Sequence, residues 1–385
     1  MDSANQKKII IIGPAHPLRG GLASYNERLA KEFQQQGHVV SIYTFCLQYP
    51  SFLFPGTTQY SKEPPPSELD IRVCINSINP LNWFIIGNRI RKERPDLIVV
   101  RFWLPFMGPC LGTILRRVKK NKHTRIVCIA DNIFPHEKRF GDKPFTHYFI
   151  KSVDAFITMS EKVLSDLRTV EKNKPAKFVA HPLYDNFGEI LPKEIAREKL
   201  GIQLDLKILL FFGFIRNYKG LDILLEAMHI LKEKNIPQTS KIRLLIAGEF
   251  YEDRKMYDDQ IARLDLKNLL ILHTDFIPDS EVKYYLCAAD VVVQPYRSAT
   301  QSGVTPLAYH FEKPMIITNV GGLPSMVPDG KVGLVTPPTA AAIVEKIIAY
   351  FDLGESHFLP GLREEKKKYS WARMTETIFA IANCK

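Results

Sequence analysis

Arg216 and Lys219 lie in the run Phe212-Gly213-Phe214-Ile215-Arg216-Asn217-Tyr218-Lys219-Gly220, which ends a strand pattern and opens a helical one. A guanidinium offers a planar fork of donors and an ammonium a point charge, a combination suited to a diphosphate leaving group. The carboxyl end of a strand is also where open α/β sheets bind ligands. A second polar run, Pro295 to Gly303, precedes the helical pattern Val304–Phe311. Its Gln301, Ser302 and Gly303 form either an anion cradle or an ordinary helix cap. The third candidate is Gly20-Gly21, between the first strand and a helix. Adjacent glycines let backbone N–H groups approach an anion, and they equally suit a tight turn. The spacing from Gly13 to Gly21 is not G-x-G-x-x-G, so the dinucleotide signature is absent.

Proton transfer has two candidates, Asp131 and His136, in the segment after the strand Arg125–Ala130. A carboxylate or an imidazole there suits orienting or deprotonating a hydroxyl. The competing readings are a turn or cap for Asp131 and a hydrogen-bonded loop residue for His136. His16 and His181 read as structural. Six cysteines lie far apart with no C-x-x-C pair, which excludes a zinc cluster or disulfide scaffold and suits a reducing compartment.

These residues must be held by more than one core. A chain of 385 residues is long enough for two or three domains. Strand patterns at Lys8–Gly13, Val39–Phe45, Ile71–Ile75, Leu97–Arg101, Arg125–Ala130 and Ala155–Met159 alternate with helical ones such as 21–36. The second half repeats the style, with strands at Lys207–Phe214, Ile242–Ala247, Leu269–His273, Val291–Gln294 and Met315–Thr318. Continuously apolar strands alternating with helices predict parallel sheets covered on both faces. The expected fold class is α/β, two Rossmann-like doubly wound domains facing across a cleft. The expected boundaries are 1–190, then 191–361, with a single helix, Arg363–Ala382, in the segment 362–385 packing back on the first domain. Gly354–Gly361 reads as a turn.

Residues 1–190 hold 27 Lys and Arg against 17 Asp and Glu, so nearly all of the net +11 sits in the first half. A one-sided basic surface points to an anionic partner. Nucleic acid is disfavoured by the lack of a known module or interleaved exposed aromatics. Leu97 to Leu115 has the length of a membrane span but contains Pro105, Gly108, Pro109 and Gly112. It reads instead as a buried strand, an apolar loop from Phe102 to Phe106 and a helix from Gly108 to about Lys120. The cluster Arg116 to Lys122, with that loop, suggests contact with an anionic bilayer surface. The apolar run Ile9–Ile12 is too short for a signal peptide, so a cytoplasmic location is expected, peripheral on the inner face of the membrane.

The ordered set Gly20-Gly21, Gly213…Lys219-Gly220, Leu245-Ile246-Ala247-Gly248-Glu249, Ala288-Ala289-Asp290-Val291 and Val320-Gly321-Gly322-Leu323-Pro324 resembles the GT-B glycosyltransferases of the retaining family 4, or group 1, type. The terminal Tyr369-Ser370-Trp371 segment resembles the one that returns to the N-terminal domain in that fold. The resemblance implies transfer of a sugar, with retention, from a nucleotide-diphosphate-sugar donor to a saccharide or lipid-linked acceptor, in bacterial surface polysaccharide or glycolipid synthesis. The donor would sit in the C-terminal domain and the acceptor in the N-terminal one. Arg216 and Lys219 would stabilise the departing diphosphate without a metal or other cofactor. Gly20 and Gly21 would approach the phosphates from across the cleft. Gly213, Glu249, Gln301, Ser302 and Gly303 would complete the donor site, and Asp131 and His136 would serve the acceptor. Two glutamates that the family carries eight residues apart correspond here to Ala299 and Leu307, and its phosphate arginine to Phe214. The rival readings are a sugar-nucleotide 2-epimerase and a non-catalytic scaffold with a degenerate donor site.

Overall fold

A computed structural model describes residues 6–50, 58–134, 141–234, 239–299 and 302–383. The chain divides into two compact units, Met1–His181 with Ser370–Lys385, and Pro182–Tyr369. The first crossing thus lies at 181/182 rather than at 190/191. The return crossing lies at 369/370 rather than at 361/362.

The first unit is built on seven parallel strands: β1 (Lys8–Ile12), β2 (Val39–Leu47), β3 (Asp70–Asn76), β4 (Leu97–Phe102), β5 (Arg125–Ala130), β6 (Ala155–Thr158) and β7 (Ala176–Phe178). Their order is β3-β2-β1-β4-β5-β6-β7. Helices α1 (Gly21–Gln35), α2 (Pro80–Glu93), α3 (Gly108–Lys119), α4 (Asp142–Ile150) and α5 (Glu161–Val170) make the crossovers. Ile9 to Ile12 and Leu97 to Val100 are buried throughout, as strands covered on both faces must be.

The second unit has α6 (Lys193–Leu200), β8 (Lys207–Phe212), α7 (Leu221–Lys234), β9 (Ile242–Ala247), α8 (Lys255–Arg263), β10 (Leu270–His273), α9 (Val282–Ala288), β11 (Val291–Gln294), α10 (Val304–His310), β12 (Met315–Thr318), α11 (Leu323–Met326), β13 (Gly333–Thr336), α12 (Ala340–Leu353) and α13 (Glu355–Glu365). Its six parallel strands run β10-β9-β8-β11-β12-β13. In each sheet the order reverses once, between β1 and β4 and between β8 and β11. Ligands of open α/β sheets bind at the carboxyl ends of such a pair.

Several expectations are corrected. Gly213 has φ +91°, so β8 stops at Phe212 and not at Phe214. The region 354–361 is not a turn: α13 runs through it from Glu355 and accommodates Pro360. The single helix expected over 363–382 is broken by a short turn, Lys366–Lys368, before α14 (Trp371–Ala382) begins under the Ser370 cap. α14 belongs to the first unit, where the side chain of Gln36 donates to Thr375 at 2.7 Å and Arg125 to the carbonyl of Ala382 at 2.9 Å.

The apolar loop is a core element. Phe102 is the last residue of β4 and stacks on Phe149 with centroids 4.2 Å apart. Trp103 and Phe106 are partly buried against the same core, and Pro105–Met107 is a 3-10 turn leading into α3. A lipid-facing role for this loop is thereby set aside. Among the described residues no helix is long and apolar enough to cross a membrane.

Candidate functional site

In the second unit, backbone geometry at the β8/β11 switch point brings the expected donor residues together. After β8 the chain turns at Gly213 and pairs briefly with the segment after β9. Gly213 N donates to Ala247 O at 2.8 Å and Ile215 N to Glu249 O at 2.8 Å. The two segments are so close that a β-carbon on Gly248 would lie 2.4 Å from Gly213 O. Phe214, where the family has an arginine, stacks on Tyr251 at 4.2 Å, and the Arg216 guanidinium lies 5.1 Å above that same ring. Glu249 is buried, and it shares this strand extension through its carbonyl.

Asn217–Lys219 form one 3-10 turn, closed by Gly220 at φ +68°. Gly220 is required twice over, because a β-carbon there would also meet Pro295 O at 2.0 Å. The turn swings Lys219 inward until the residue is 8% exposed. Its ammonium lies 3.0 Å from where a β-carbon of Gly213 would be and 5.8 Å from the Tyr296 ring. Lys219 forms no ion pair among the described residues. Burial, and then the nearby Arg216 charge, pull its pKa down to about 7. A buried ammonium without a counter-ion is destabilising by itself and has much to gain from an anion.

The segment after β11 completes this corner. Arg297 N donates to Tyr218 O at 2.7 Å, and the Arg297 guanidinium pairs with Asp222 on α7. These contacts fix the Lys219 turn against the 295–299 segment. Ser302 is buried. Its hydroxyl lies 3.3 Å from that of Tyr296 and accepts from Val304 N at 3.2 Å, acting as a local cap of α10. Val304 Cγ2 is 3.7 Å from the Gly213 β-carbon position, so the start of α10, Gly213 and Lys219 converge on one point. Gly303 borders Tyr184. Gln301 lies outside the described residues. Ala299 and Leu307 are buried apolar residues. The carbonyl of Ala299 accepts from Gly322 N at 3.2 Å, and a β-carbon on Gly321 would lie 1.6 Å from it. The Gly-Gly turn is therefore explained by close approach to the 295–299 segment.

In the first unit Gly20 has φ +98° and caps α1 with backbone alone, and Gly21 opens the helix. The preceding loop is pinned by Arg19 N to Gln59 O at 3.1 Å and by Arg19 Nε to Thr58 O at 2.7 Å. Asp131, one residue beyond β5, is buried and takes both arms of Arg101, each at 2.6 Å. Arg101 is itself buried and lies 4.0 Å over the Tyr25 ring of α1. Tyr25 meets Trp371 of α14 at 4.9 Å and His181 at 5.1 Å. Asp131 thus anchors a buried arginine rather than presenting a solvated carboxylate. His136 lies outside the described residues. Sequence reading missed the Arg101 pairing, because the two residues lie 30 apart in the chain and meet only through the pairing of β4 with β5.

Among the described residues no three His, Cys, Asp or Glu side chains cluster as a metal site. A buried cation beside a glycine, at the carboxyl ends of the switch-point strands, can hold a phosphate or diphosphate. Comparison with known proteins agrees with that class. Residues 192–365 match the model described as glycosyl transferases group 1, and residues 19–180 match glycosyltransferase family 4. The chain belongs to this glycosyltransferase family, and its fold is GT-B. It is 24% identical over 369 residues, 89% of each chain, to a Bacillus subtilis glycosyltransferase ascribed to teichuronic acid biosynthesis. It is 24% identical over 347 residues to the D-inositol 3-phosphate glycosyltransferase of Thermobifida fusca, covering 82% of this chain and 76% of that one. The structure of Anabaena HepE with UDP and glucose superposes with a TM-score of 0.71 at 15% identity, covering 97% of this chain and 98% of that one.

Proposed function

We propose that this glycosyltransferase moves a sugar from a nucleoside-diphosphate sugar to a saccharide or lipid-linked acceptor, with retention at the anomeric carbon. The observation that carries the donor assignment is Lys219, a buried ammonium without a carboxylate partner among the described residues, next to the side-chain-free Gly213. As the bond to the anomeric carbon breaks, negative charge grows on the diphosphate. Lys219 and Arg216 neutralise it without reorganisation, because the Lys219 turn is held by Gly220 and Arg297. Charge stabilisation by two side chains makes the transfer metal-independent in this reading. Retention follows the family resemblance: the acceptor hydroxyl attacks from the face that the diphosphate leaves, and the leaving phosphate takes the proton. No protein base is then needed, which fits Asp131 being committed to Arg101.

Similar proteins support a surface-polymer acceptor and a uridine nucleotide: one relative is ascribed to teichuronic acid synthesis, and one structural neighbour was crystallised with UDP. The test is a thermal-shift panel of UDP, GDP and ADP, followed by release of nucleoside diphosphate from the matching sugar donor. A nucleotide at a hundred times its Kd should stabilise the protein by about 2.7 kcal/mol. Stabilisation without sugar-dependent release would favour a non-catalytic scaffold, to which Ala299 and Leu307 would then belong. No response to any nucleotide would overturn the donor assignment.

A further inference from the structure

Among the described residues, the two most exposed large hydrophobics of the first unit lie on α2. Among its large hydrophobics Leu81 is 74% exposed, Ile85 65%, Phe84 46%, and Ile78, just before the helix, 50%. The opposite face holds the helix in place: Ile86, Gly87 and Ile90 are buried. Gly87 lets α3 approach so closely that a β-carbon there would lie 2.7 Å from Arg117 Cβ. Leu81, Phe84 and Ile85 follow the i, i+3, i+4 spacing of one helical stripe, turned outward.

Cations frame this stripe. Arg117 lies 5.5 Å over the Phe84 ring and bonds the Asn88 side chain, while Arg116 lies 3.6 Å over the ring of Tyr148 on α4. Neither arginine, nor Arg89 or Lys120, is paired with a carboxylate among the described residues. Glu93, the single acid of α2, is committed to Lys8 and Arg72. Aliphatic side chains at the centre, aromatic rings capped by arginine at the margin and unpaired basic charge around them match the interfacial zone of an anionic bilayer. An acidic protein would match the charge but not the protruding aliphatic stripe.

Position supports the same partner. Every strand of this sheet is parallel, and Ile78 and Leu81 follow directly on the carboxyl end of β3. They therefore lie at the same end of the sheet as Gly20, Arg101 and Asp131, where an acceptor is expected to bind.

We infer that α2 docks this unit on an anionic membrane, with Ile78, Leu81 and Ile85 entering the acyl boundary and Arg89, Arg116 and Arg117 in the headgroup layer. The inference deepens the proposed function by committing the acceptor to the bilayer surface. The full chain is to be sedimented with vesicles of phosphatidylcholine alone or with half phosphatidylglycerol, at low and high salt. Its variant L81S/I85S is treated alongside, with melting temperature and nucleotide binding measured on both.

Binding should require phosphatidylglycerol, weaken with salt, and fall at least about tenfold in L81S/I85S, which loses two aliphatic side chains from the buried face. In a Leu81→Trp variant, lipids brominated near the top of the acyl chain should quench fluorescence beyond that of the parent. Equal binding to both vesicles, unchanged partition of L81S/I85S, or a dimer that L81S/I85S dissociates would each overturn the inference. Nucleotide binding is read in the absence of vesicles, so failure at the membrane and failure of the donor assignment are separate results.

Discussion

Lys219 and Gly213 meet at the carboxyl end of β8, with the ammonium 3.0 Å from the position a β-carbon on Gly213 would take. The glycine has φ +91°, a conformation costly for any other residue, and its missing side chain leaves room beside a buried cation. Gly213→Ala should therefore act in two ways. Backbone strain should lower stability by about 1 kcal/mol or more, and the new methyl group should displace Lys219 or the bound phosphate. Melting temperature should fall modestly and nucleotide affinity by at least about tenfold, which calorimetry on the variant would measure. A stable variant with parental affinity would place the phosphates elsewhere.

The lowered pKa of Lys219 gives the ligand-free protein a pH signature. An unfolded lysine holds its proton to about pH 10.4, while the folded one releases it near pH 7. Between those values the unfolded chain binds more protons, so this group's contribution makes stability rise with pH across the window. The destabilisation is full below pH 7. Lys219→Met should raise the melting temperature at pH 6 to 7, with the advantage shrinking towards pH 10. A pH-independent difference would contradict a buried titrating ammonium.

The same group couples nucleotide binding to protons. A diphosphate favours the charged lysine, so binding at pH 8 should take up close to one proton, seen as a dependence of the calorimetric heat on buffer ionisation enthalpy. Affinity should fall by up to about tenfold per pH unit above 7, until the pKa of the bound state is reached. Lys219→Arg, which stays charged, should abolish both effects.

Arg101 and Asp131 test whether the first unit uses a carboxylate as a base. Asp131→Ala leaves a buried guanidinium without its two-armed partner and should cost about 3–5 kcal/mol. Replacing both residues by leucine should recover most of that. Nucleotide binding by the second unit should be unchanged throughout. An Asp131→Ala protein of parental stability that binds nucleotide but transfers no sugar would instead make Asp131 the base.

How far these features could be read from sequence differs by element. Apolar runs such as Ile9–Ile12 and Val291–Val293 gave the strands, because burial on both faces leaves no polar position. The strand order, and with it the switch point that brings Gly213 to the segment after β11, depends on long-range pairing that local pattern does not carry. β7 and β13 are short and partly polar or exposed, so no apolar run marks them in the sequence. Arg216, Lys219 and Gly213 were legible from residue type and place after a strand. The burial of Lys219 was not, since it depends on Gly220 packing against Pro295, residues far apart in the chain. The apolar Phe102–Phe106 run misled, because hydrophobicity alone does not separate a core-filling loop from a lipid-facing one. The exposed stripe of α2 escaped for the converse reason: with Trp83, Ile86 and Ile90 nearby, inward and outward apolar residues look alike.

The most direct measurement is the rate of nucleoside diphosphate release by Arg216→Ala/Lys219→Ala, under saturating donor and acceptor and with circular dichroism and gel filtration confirming the fold. Removal of one oxyanion-stabilising donor typically costs about 10²–10³ in kcat, so loss of the pair should lower kcat by at least about 10³ and leave the acceptor KM nearly unchanged. A folded double variant that turns over at the parental rate would show that neither side chain receives the departing diphosphate.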